Sequence, residues 1–339
     1  MMTVHHVTID EPFDFEGGGH IPSLDITYHS SAQEYRKGDK VVWICHALTA
    51  NSNPEEWWPG MVGPGLLIDT DRYFVICANM LGSPYGTSGP AAISPETGKP
   101  YLFDFPKVTA RDNARMCAIL RRHIGIEKID VLVGSSVGGF YAMEWAVIEP
   151  DTIVRAVFLA TSSRVSPYLT AFNESQRMAL EADQTFRKAQ SLKGGEAGLR
   201  CARSIALISY RSFDGYNSTQ AENEDETMFA HKAASYQRHQ GRKLSERFDA
   251  YSYWYLTQMF DSHNIGRGRG GERKALSSIK ASVTVIAITS DCMFPSKDMR
   301  KMASLIPGAE FHTIDSKFGH DGFLLENEQL TRIIGPVLL

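Results

Sequence analysis

Short runs of β-branched and aromatic residues recur along the chain between turn-forming residues, and most positions within each run are apolar. Six such runs predict buried strands, at residues 40–45, 73–78, 129–133, 154–160, 283–289 and 311–314. Helical periodicity follows the second run at residues 108–124 and the third run at residues 137–148. Strands that alternate with crossover helices are typical of a parallel sheet, so the pattern predicts an α/β fold.

Two further runs near the N-terminus, residues 5–9 and 24–28, lie on either side of three consecutive glycines at residues 17–19. Glycine readily adopts the backbone conformations that a tight reversal needs. We expect the two runs to form an antiparallel hairpin at the edge of the sheet.

Between about residues 167 and 280 the pattern changes from strands to helices. Helical periodicity is found at residues 174–190, 195–210, 226–240 and 245–260. The acidic stretch 222–226 and the glycine-rich stretch 266–271 are interpreted as solvated loops. Because strand-like sequence resumes at residue 283, we expect residues 1–166 and 281–339 to form one core and residues 167–280 an inserted helical cap.

The overall composition narrows the possible classes of protein. The chain has 339 residues, 43% of them hydrophobic and 22% charged, with a formal net charge of -4. This composition allows a sizeable core and excludes a fibre or a disordered chain. The near balance of charges provides no broad basic surface, so we expect neither nucleic acid nor a membrane as a partner.

Cysteine usage and hydropathy indicate where the protein resides. The five cysteines are scattered and include no C-x-x-C pair, which is typical of reduced, buried thiols in the cytoplasm. The N-terminal segment contains acidic residues and no apolar run of signal-peptide length, and the chain has no uninterrupted apolar stretch of about 18 residues. We therefore expect a cytoplasmic protein without a membrane span.

The segment Gly134-Ser135-Ser136-Val137-Gly138 directly follows one predicted strand and precedes a predicted helix. It matches G-x-S-x-G in the strand–turn–helix context that a nucleophile elbow requires. The glycines allow the tight reversal, which projects the Ser136 hydroxyl above the sheet and directs the helix N-terminus toward any anion formed there. Ser136, and not Ser135, is therefore the candidate nucleophile.

A serine hydroxyl needs a histidine to accept its proton, and the histidine needs a carboxylate to hold its tautomer. After such an elbow the partners are expected in the order aspartate, histidine. Asp291 directly follows the predicted strand 283–289, and His320 follows the last predicted strand by a short loop. The alternative interpretation is that Asp291 caps the next helix and His320 lies at the surface.

Acyl transfer also requires hydrogen-bond donors for a developing oxyanion, usually the amide after the nucleophile and one from the loop after an early strand. The corresponding amides are those of Val137 and Leu48. His46, in the same loop as Leu48, is interpreted as a packing and hydrogen-bonding element and not as a base.

A set of ordered motifs along nearly the whole chain resembles the homoserine O-acetyltransferases, which have the α/β-hydrolase fold. The motifs include His46-Ala47-Leu48-Thr49, Trp57-Trp58, Asn79, Gly86-Thr87-Ser88-Gly89-Pro90, Phe105-Pro106-Lys107-Val108-Thr109, Ala202-Arg203, Tyr210-Arg211-Ser212, Arg247-Phe248-Asp249, Ser290-Asp291 and Gly319-His320-Asp321. The resemblance implies a mostly parallel sheet with an inserted helical cap. It also implies a homodimer formed through the cap helices.

The resemblance implies a catalytic triad of Ser136, Asp291 and His320. It further implies that Arg203, Tyr210 and Asp321 surround the homoserine. A guanidinium suits the carboxylate of an amino acid, and a carboxylate suits its ammonium group. For Arg203 the alternative is a salt bridge within the cap, since Arg200 and Arg211 are neighbouring candidates.

Three positions depart from the usual family pattern. Ser135 stands where the family has a second glycine, residues 183–188 lack its usual proline, tryptophan and glycine, and Tyr251 stands where an asparagine is common. These departures bear on the identity of the substrate more than on the type of reaction.

The resemblance implies that the enzyme moves an acetyl group from acetyl-CoA, a co-substrate, to the hydroxyl of L-homoserine through an acyl-Ser136 intermediate, in methionine biosynthesis. No metal and no bound organic cofactor are implied. The alternatives are a serine O-acetyltransferase or homoserine O-succinyltransferase of the same fold, an esterase that uses water, and a binding protein without catalysis.

Overall fold

An eight-stranded sheet forms the centre of the computed structural model, which describes residues 1–338. The strands of the chain are β1 (Thr3–Ile9), β2 (Phe13–Asp14), β3 (His20–Ile21), β4 (Leu24–Ser30), β5 (Val41–Cys45), β6 (Phe74–Ala78), β7 (Ile129–Ser135), β8 (Ile153–Leu159), β9 (Ser282–Ile288) and β10 (Glu310–Ile314). The central sheet has the order β1-β4-β6-β5-β7-β8-β9-β10 and is parallel from β6 to β10. The predicted α/β fold is confirmed.

The N-terminal strands differ from the prediction in one respect. β1 pairs antiparallel with β4 at the edge of the sheet, as expected. The three glycines, however, lie between β2 and β3, which form a separate two-stranded hairpin. The connection from β1 to β4 therefore contains a hairpin of its own.

The central strands are apolar throughout because both faces of the sheet are covered. In β5 all five residues are buried. Val41, Trp43 and Cys45 belong to one apolar layer, whereas Val42 and Ile44 belong to the layer on the opposite face. This alternation explains why the sequence of a central strand shows a continuous apolar run.

Thirteen α-helices surround the sheet within residues 1–338. They are α1 (Pro54–Trp57), α2 (Ala110–Ile124), α3 (Val137–Ile148), α4 (Pro167–Ala182), α5 (Gln184–Arg187), α6 (Glu196–Tyr210), α7 (Phe213–Gln220), α8 (Lys232–Ser245), α9 (Ala250–Asp261), α10 (Glu272–Leu276), α11 (Ser296–Ala303), α12 (Gly322–Leu325) and α13 (Asn327–Leu338). Helices α4 to α10 lie between β8 and β9 in the chain.

Local signals set the helix ends where the predicted ends were wrong. Helix α4 begins at Pro167 because Ser166 caps it, accepting a hydrogen bond from the Leu169 amide, and Pro167 occupies the first turn. The prediction placed this start at residue 174. Helix α8 begins at Lys232, six residues later than predicted, and α7 was not predicted.

The cysteines and the hydropathy of the helices bear on two other expectations. Cys45, Cys77 and Cys117 are buried, but Cys201 and Cys292 are exposed, so the expectation that all five are buried was wrong. All five are free thiols. None of the helices in residues 1–338 combines the length and the apolar character that crossing a membrane requires.

Candidate active site

The elbow at Ser136 joins the end of β7 to the start of α3. Ser136 has φ 54° and ψ -128°, a conformation that residues with a side chain rarely adopt. Such strain persists only where the surrounding structure enforces it, and it is concentrated at functional sites. Here it turns the chain sharply between strand and helix and directs the Ser136 side chain at His320.

Ser136, His320 and Asp291 form a continuous chain of hydrogen bonds. His320 Nε2 lies 2.8 Å from Ser136 Oγ, and His320 Nδ1 lies 2.7 Å from Asp291 Oδ2. Because a carboxylate can only accept, Nδ1 carries the proton and Nε2 is free to accept the serine proton. All three residues are buried. The alternative interpretation, which placed His320 at the surface, was therefore wrong.

The loop after β9 fixes the orientation of Asp291. Its Oδ1 accepts hydrogen bonds from the amides of Met293 and Phe294, at 2.8 and 3.2 Å. The next helix, α11, has Pro295 at its N-cap, so Asp291 does not cap it. With Oδ1 held by the backbone, Oδ2 remains directed at His320.

Close packing places the first turn of α3 against the chain that follows β5. A Cβ atom on Gly138 would lie 2.0 Å from the carbonyl oxygen of Cys45 and 2.8 Å from that of His46. Only glycine permits this approach. The contact brings the Val137 amide, which has no acceptor within its helix, to the same region as the loop that carries the Leu48 amide.

His46 stabilises the loop after β5. It is fully buried, and burial lowers its pKa to about 4. Its Nδ1 donates to the carbonyl of Ala47 at 2.9 Å, and its Nε2 accepts from the Met80 amide at 3.1 Å. Both ring nitrogens are thus used, so His46 is a neutral structural residue and not a base.

A pocket opens above Ser136 and His320. Its lining includes Leu48 and the three residues expected to contact a substrate, Arg203, Tyr210 and Asp321. The guanidinium carbon of Arg203 lies 5.4 Å from the centre of the Tyr210 ring. Six of the eight candidate site residues therefore line one cavity, whereas Asp291 reaches it through its hydrogen bond to His320 and Val137 adjoins it as the neighbour of Ser136.

Of the three neighbouring arginines, only Arg203 lines this pocket without a salt bridge to another residue of the described chain. Arg200 pairs with Glu196 on its own helix, and Arg211 pairs with Asp321. The guanidinium of Arg203 therefore remains available to an anionic group in the pocket.

Two further arginines lie at this site: Arg211, which was expected only as an alternative to Arg203, and Arg247, for which no role was expected. Arg211 Nε lies 2.6 Å from Asp321 Oδ2 in an ion pair that lacks hydrogen-bond alignment. Arg247 lines the pocket and contacts the loop after β5. Both belong to motifs that resemble the family, and this was the only signal that could have identified them.

None of the three departures from the family pattern lines the pocket. Tyr251 is buried and donates a hydrogen bond to the carbonyl of Phe186 in α5, and neither residue lines the pocket. Ser135, the last residue of β7, is buried beside the nucleophile.

No cluster of three or more His, Cys, Asp or Glu suited to a metal ion occurs in residues 1–338.

Comparison with known proteins gives a consistent result. A family model described as alpha/beta hydrolase fold matches residues 40–327. The homoserine O-acetyltransferase of Cyclobacterium marinum is 41% identical and aligns over 98% of this chain and 94% of its own length. That of Trichormus variabilis is 38% identical, over 95% and 90% respectively.

Solved structures extend the comparison to three dimensions. A homoserine O-acetyltransferase from Bacillus anthracis superposes with a TM-score of 0.90 at 26% identity, over 100% of this chain and 98% of that chain. The esterase E22 also reaches a TM-score of 0.90 with full coverage of both chains, but at 22% identity it supports the fold alone. The similarity to curated relatives over almost the entire length confirms the resemblance noted in the sequence, and the chain belongs to the homoserine O-acetyltransferase family of enzymes with the α/β-hydrolase fold.

Proposed function

We propose that the enzyme transfers the acetyl group of acetyl-CoA to the hydroxyl of L-homoserine through an acetyl-Ser136 intermediate. The observation that carries the proposal is the hydrogen-bonded series Ser136–His320–Asp291, which opens into a pocket that also presents Arg203 and Asp321. The product, O-acetylhomoserine, is an activated precursor in methionine synthesis. The mechanism requires neither a metal nor a bound cofactor.

In the first step Ser136 Oγ attacks the thioester carbonyl carbon while His320 Nε2 accepts the hydroxyl proton. The carbonyl oxygen becomes an oxyanion that accepts hydrogen bonds from the Leu48 and Val137 amides. Asp291 stabilises the imidazolium that forms. When the carbon–sulfur bond breaks, the sulfur takes the proton from Nε2, and coenzyme A leaves as the free thiol.

In the second step the homoserine hydroxyl takes the place of the thiol. His320 Nε2 accepts its proton as the hydroxyl oxygen attacks the acetyl-serine carbonyl. The same two amides stabilise the second oxyanion. Collapse of this intermediate releases Ser136 Oγ, which recovers the proton from Nε2, and leaves the acetyl group on homoserine.

Two charged side chains are suited to the two charged groups of an amino-acid acceptor. Arg203 would bind the carboxylate and Asp321 the ammonium group, and Tyr210 lies next to Arg203 in the same pocket. Burial raises the pKa of the Asp321 carboxyl, whereas Arg211, His320 and Arg203 favour its ionised form. Arg211 thus helps to keep the Asp321 carboxylate charged despite its burial, and this carboxylate can still accept a hydrogen bond from the substrate ammonium group.

Replacing Asp321 by asparagine tests this assignment. Loss of a hydrogen bond to a charged group costs about 1.5–3 kcal/mol, so the KM for homoserine is expected to rise about 10- to 100-fold. The rate at which acetyl-CoA acetylates Ser136, measured as the initial burst of free thiol, should change by less than about threefold. An equal loss in both steps would contradict an acceptor-binding role.

The test of the proposed function is the release of thiol from acetyl-CoA with homoserine, with serine, or with water alone. We expect release that depends strongly on homoserine, together with O-acetylhomoserine as the product identified by mass spectrometry. Release that is independent of any amino acid would instead assign a hydrolase. Parallel assays with succinyl-CoA would reveal a different acyl donor.

We also infer a homodimer formed through the cap helices, in the cytoplasm. Exposed apolar side chains support the dimer, namely Ile208 of α6 and Phe213 of α7, which line one surface pocket, and Met228 and Phe229 in the segment before α8. Exposed apolar side chains clustered on one part of a surface are typical of protein contacts. The five free thiols fit a reducing compartment.

A further inference from the structure

The loop after β5 holds the Leu48 amide through two linked peptide groups. The carbonyl of Ala47 accepts hydrogen bonds from His46 Nδ1 at 2.9 Å and from the Ala50 amide at 3.0 Å. In a trans peptide the carbonyl and the following N–H point in opposite directions. Fixing the Ala47 carbonyl therefore also fixes the direction of the Leu48 N–H.

The second peptide group joins Thr49 to Ala50, and a residue from outside the loop restrains it. Arg247 Nη1 donates to the Thr49 carbonyl at 2.6 Å and also contacts the Tyr85 hydroxyl. Because the Thr49 carbonyl and the Ala50 N–H belong to one plane, Arg247 fixes the group that donates to Ala47. A chain of contacts therefore runs from Arg247 through two peptide planes to the Leu48 amide.

Further contacts hold both the segment that carries Arg247 and the loop after β5. Arg247 lies between α8 and α9, next to Phe248, which is buried and packs edge-on against Tyr85 with ring centres 5.7 Å apart. Ser52, which belongs to the loop after β5, donates from its amide to the Asn79 side chain at 2.7 Å. Asn79 in turn donates to the Tyr85 carbonyl at 2.8 Å. The loop is thus held both by the core and by the cap segment.

We propose that Arg247 is a positioning residue for acyl transfer, which holds the loop after β5 so that the Leu48 amide is aligned with the oxyanion in both steps. The inference rests on the proposed role of Leu48 as an oxyanion donor. It makes the cap segment part of the catalytic arrangement, because a side chain from that segment sets the geometry of a donor in the core. Arg247 acts through its hydrogen bond to the Thr49 carbonyl and not through its charge.

The test compares acetylation of the enzyme by acetyl-CoA with acetylation by p-nitrophenyl acetate, which lacks the coenzyme. Arg247→Gln is expected to slow acetylation by about 10- to 30-fold with both donors, less than the roughly 10²–10³-fold cost of deleting an oxyanion donor. The KM for homoserine should change by less than about twofold. The glutamine amide also carries N–H groups, but its side chain ends two bonds short of the position of Nη1; Arg247→Lys, whose longer side chain ends in an N–H donor group, should recover part of the rate.

Arg242→Gln is the matched control, because Arg242 is exposed at the end of α8 and lies outside the pocket. It should leave both rates unchanged. If Arg247→Gln fails to fold, Tyr85→Phe removes only the hydroxyl that Arg247 contacts, and it should slow acetylation by both donors about two- to fivefold.

Two results would overturn the proposal. Slowing with acetyl-CoA alone, through a higher KM for that donor, would assign Arg247 to binding of the coenzyme. If both acyl donors acetylated the Arg247→Gln and Tyr85→Phe variants at the wild-type rate, the loop after β5 would be held in place without Arg247. The p-nitrophenyl acetate reaction reports on Arg247 even if acetyl-CoA proves not to be the donor, so the two proposals fail separately.

Discussion

Replacing Ser136 by alanine is expected to lower the rate of acyl transfer by about 10⁵-fold or more, to the level of the background reaction. In the proposed mechanism, alanine removes the atom that carries the acyl group, and His320 and Asp291 then have no hydroxyl to activate. The measurement is free thiol released from acetyl-CoA in the presence of homoserine, combined with mass spectrometry of the peptide that contains residue 136. The acetylated peptide should be absent from the variant.

Ser135→Ala is the control for this experiment, since Ser135 is the adjacent serine and is buried at the end of β7. It should keep the transfer rate within about threefold of wild type. A large loss of activity in Ser135→Ala, with activity remaining in Ser136→Ala, would show that the nucleophile is Ser135 and not Ser136. The melting temperature of Ser136→Ala should stay near that of the wild type, because the change removes no buried apolar contact.

Gly138→Ala is expected to have the largest effect on stability, a loss of more than about 4 kcal/mol or a failure to fold. The new methyl group would lie 2.0 Å from the Cys45 carbonyl oxygen and 2.7 Å from its carbon. Both atoms belong to the backbone of β5, a fully buried central strand that cannot yield as a flexible side chain would. Thermal unfolding of the purified protein, or its yield in the soluble fraction, measures the effect.

Gly335→Ala provides the comparison. Gly335 lies in α13, and a Cβ there would meet only Leu67 Cδ1, at an ordinary 3.9 Å. Alanine is favoured over glycine inside a helix by about 0.5–1 kcal/mol, so this variant should be as stable as the wild type or slightly more stable. If Gly138→Ala had the same melting temperature as Gly335→Ala, α3 would have to lie farther from β5 than the structure indicates.

The parts of the fold that the sequence predicted are those in which local pattern and burial coincide. The strand that precedes Ser136 was located because its residues are apolar on both sides, and α3 because it begins directly at the elbow. Helix α7 was missed because it is short and contains a glycine, so its apolar periodicity is weak. The start of α4 was misplaced although Ser166 and Pro167 carry the usual signals.

The site shows a similar division. Ser136, Asp291 and His320 could be proposed from a motif and from their order along the chain. The contact of Arg247 with Thr49 could not, because it joins residues 198 positions apart and depends on how the cap segment meets the core. The pairing of Arg211 with Asp321 likewise depends on the relative placement of two distant turns, which no local sequence pattern encodes.

The position of the cap in the chain has a consequence for synthesis of the protein. β8 and β9 are neighbours in the sheet, with Leu159 paired to Ile286, yet all the residues from α4 to α10 separate them. Ser136 and His320 are 184 residues apart. A growing chain therefore exposes β8 as an unpaired apolar edge until the segment after the cap has been made.

Unpaired apolar strands readily pair with other chains, so aggregation of the incomplete polypeptide is the main hazard for this architecture. Early folding of the cap helices would reduce the hazard, because a compact insertion shortens the loop that β9 must close when it reaches β8. The inserted helices would then protect the newly made chain from aggregation before β9 pairs with β8.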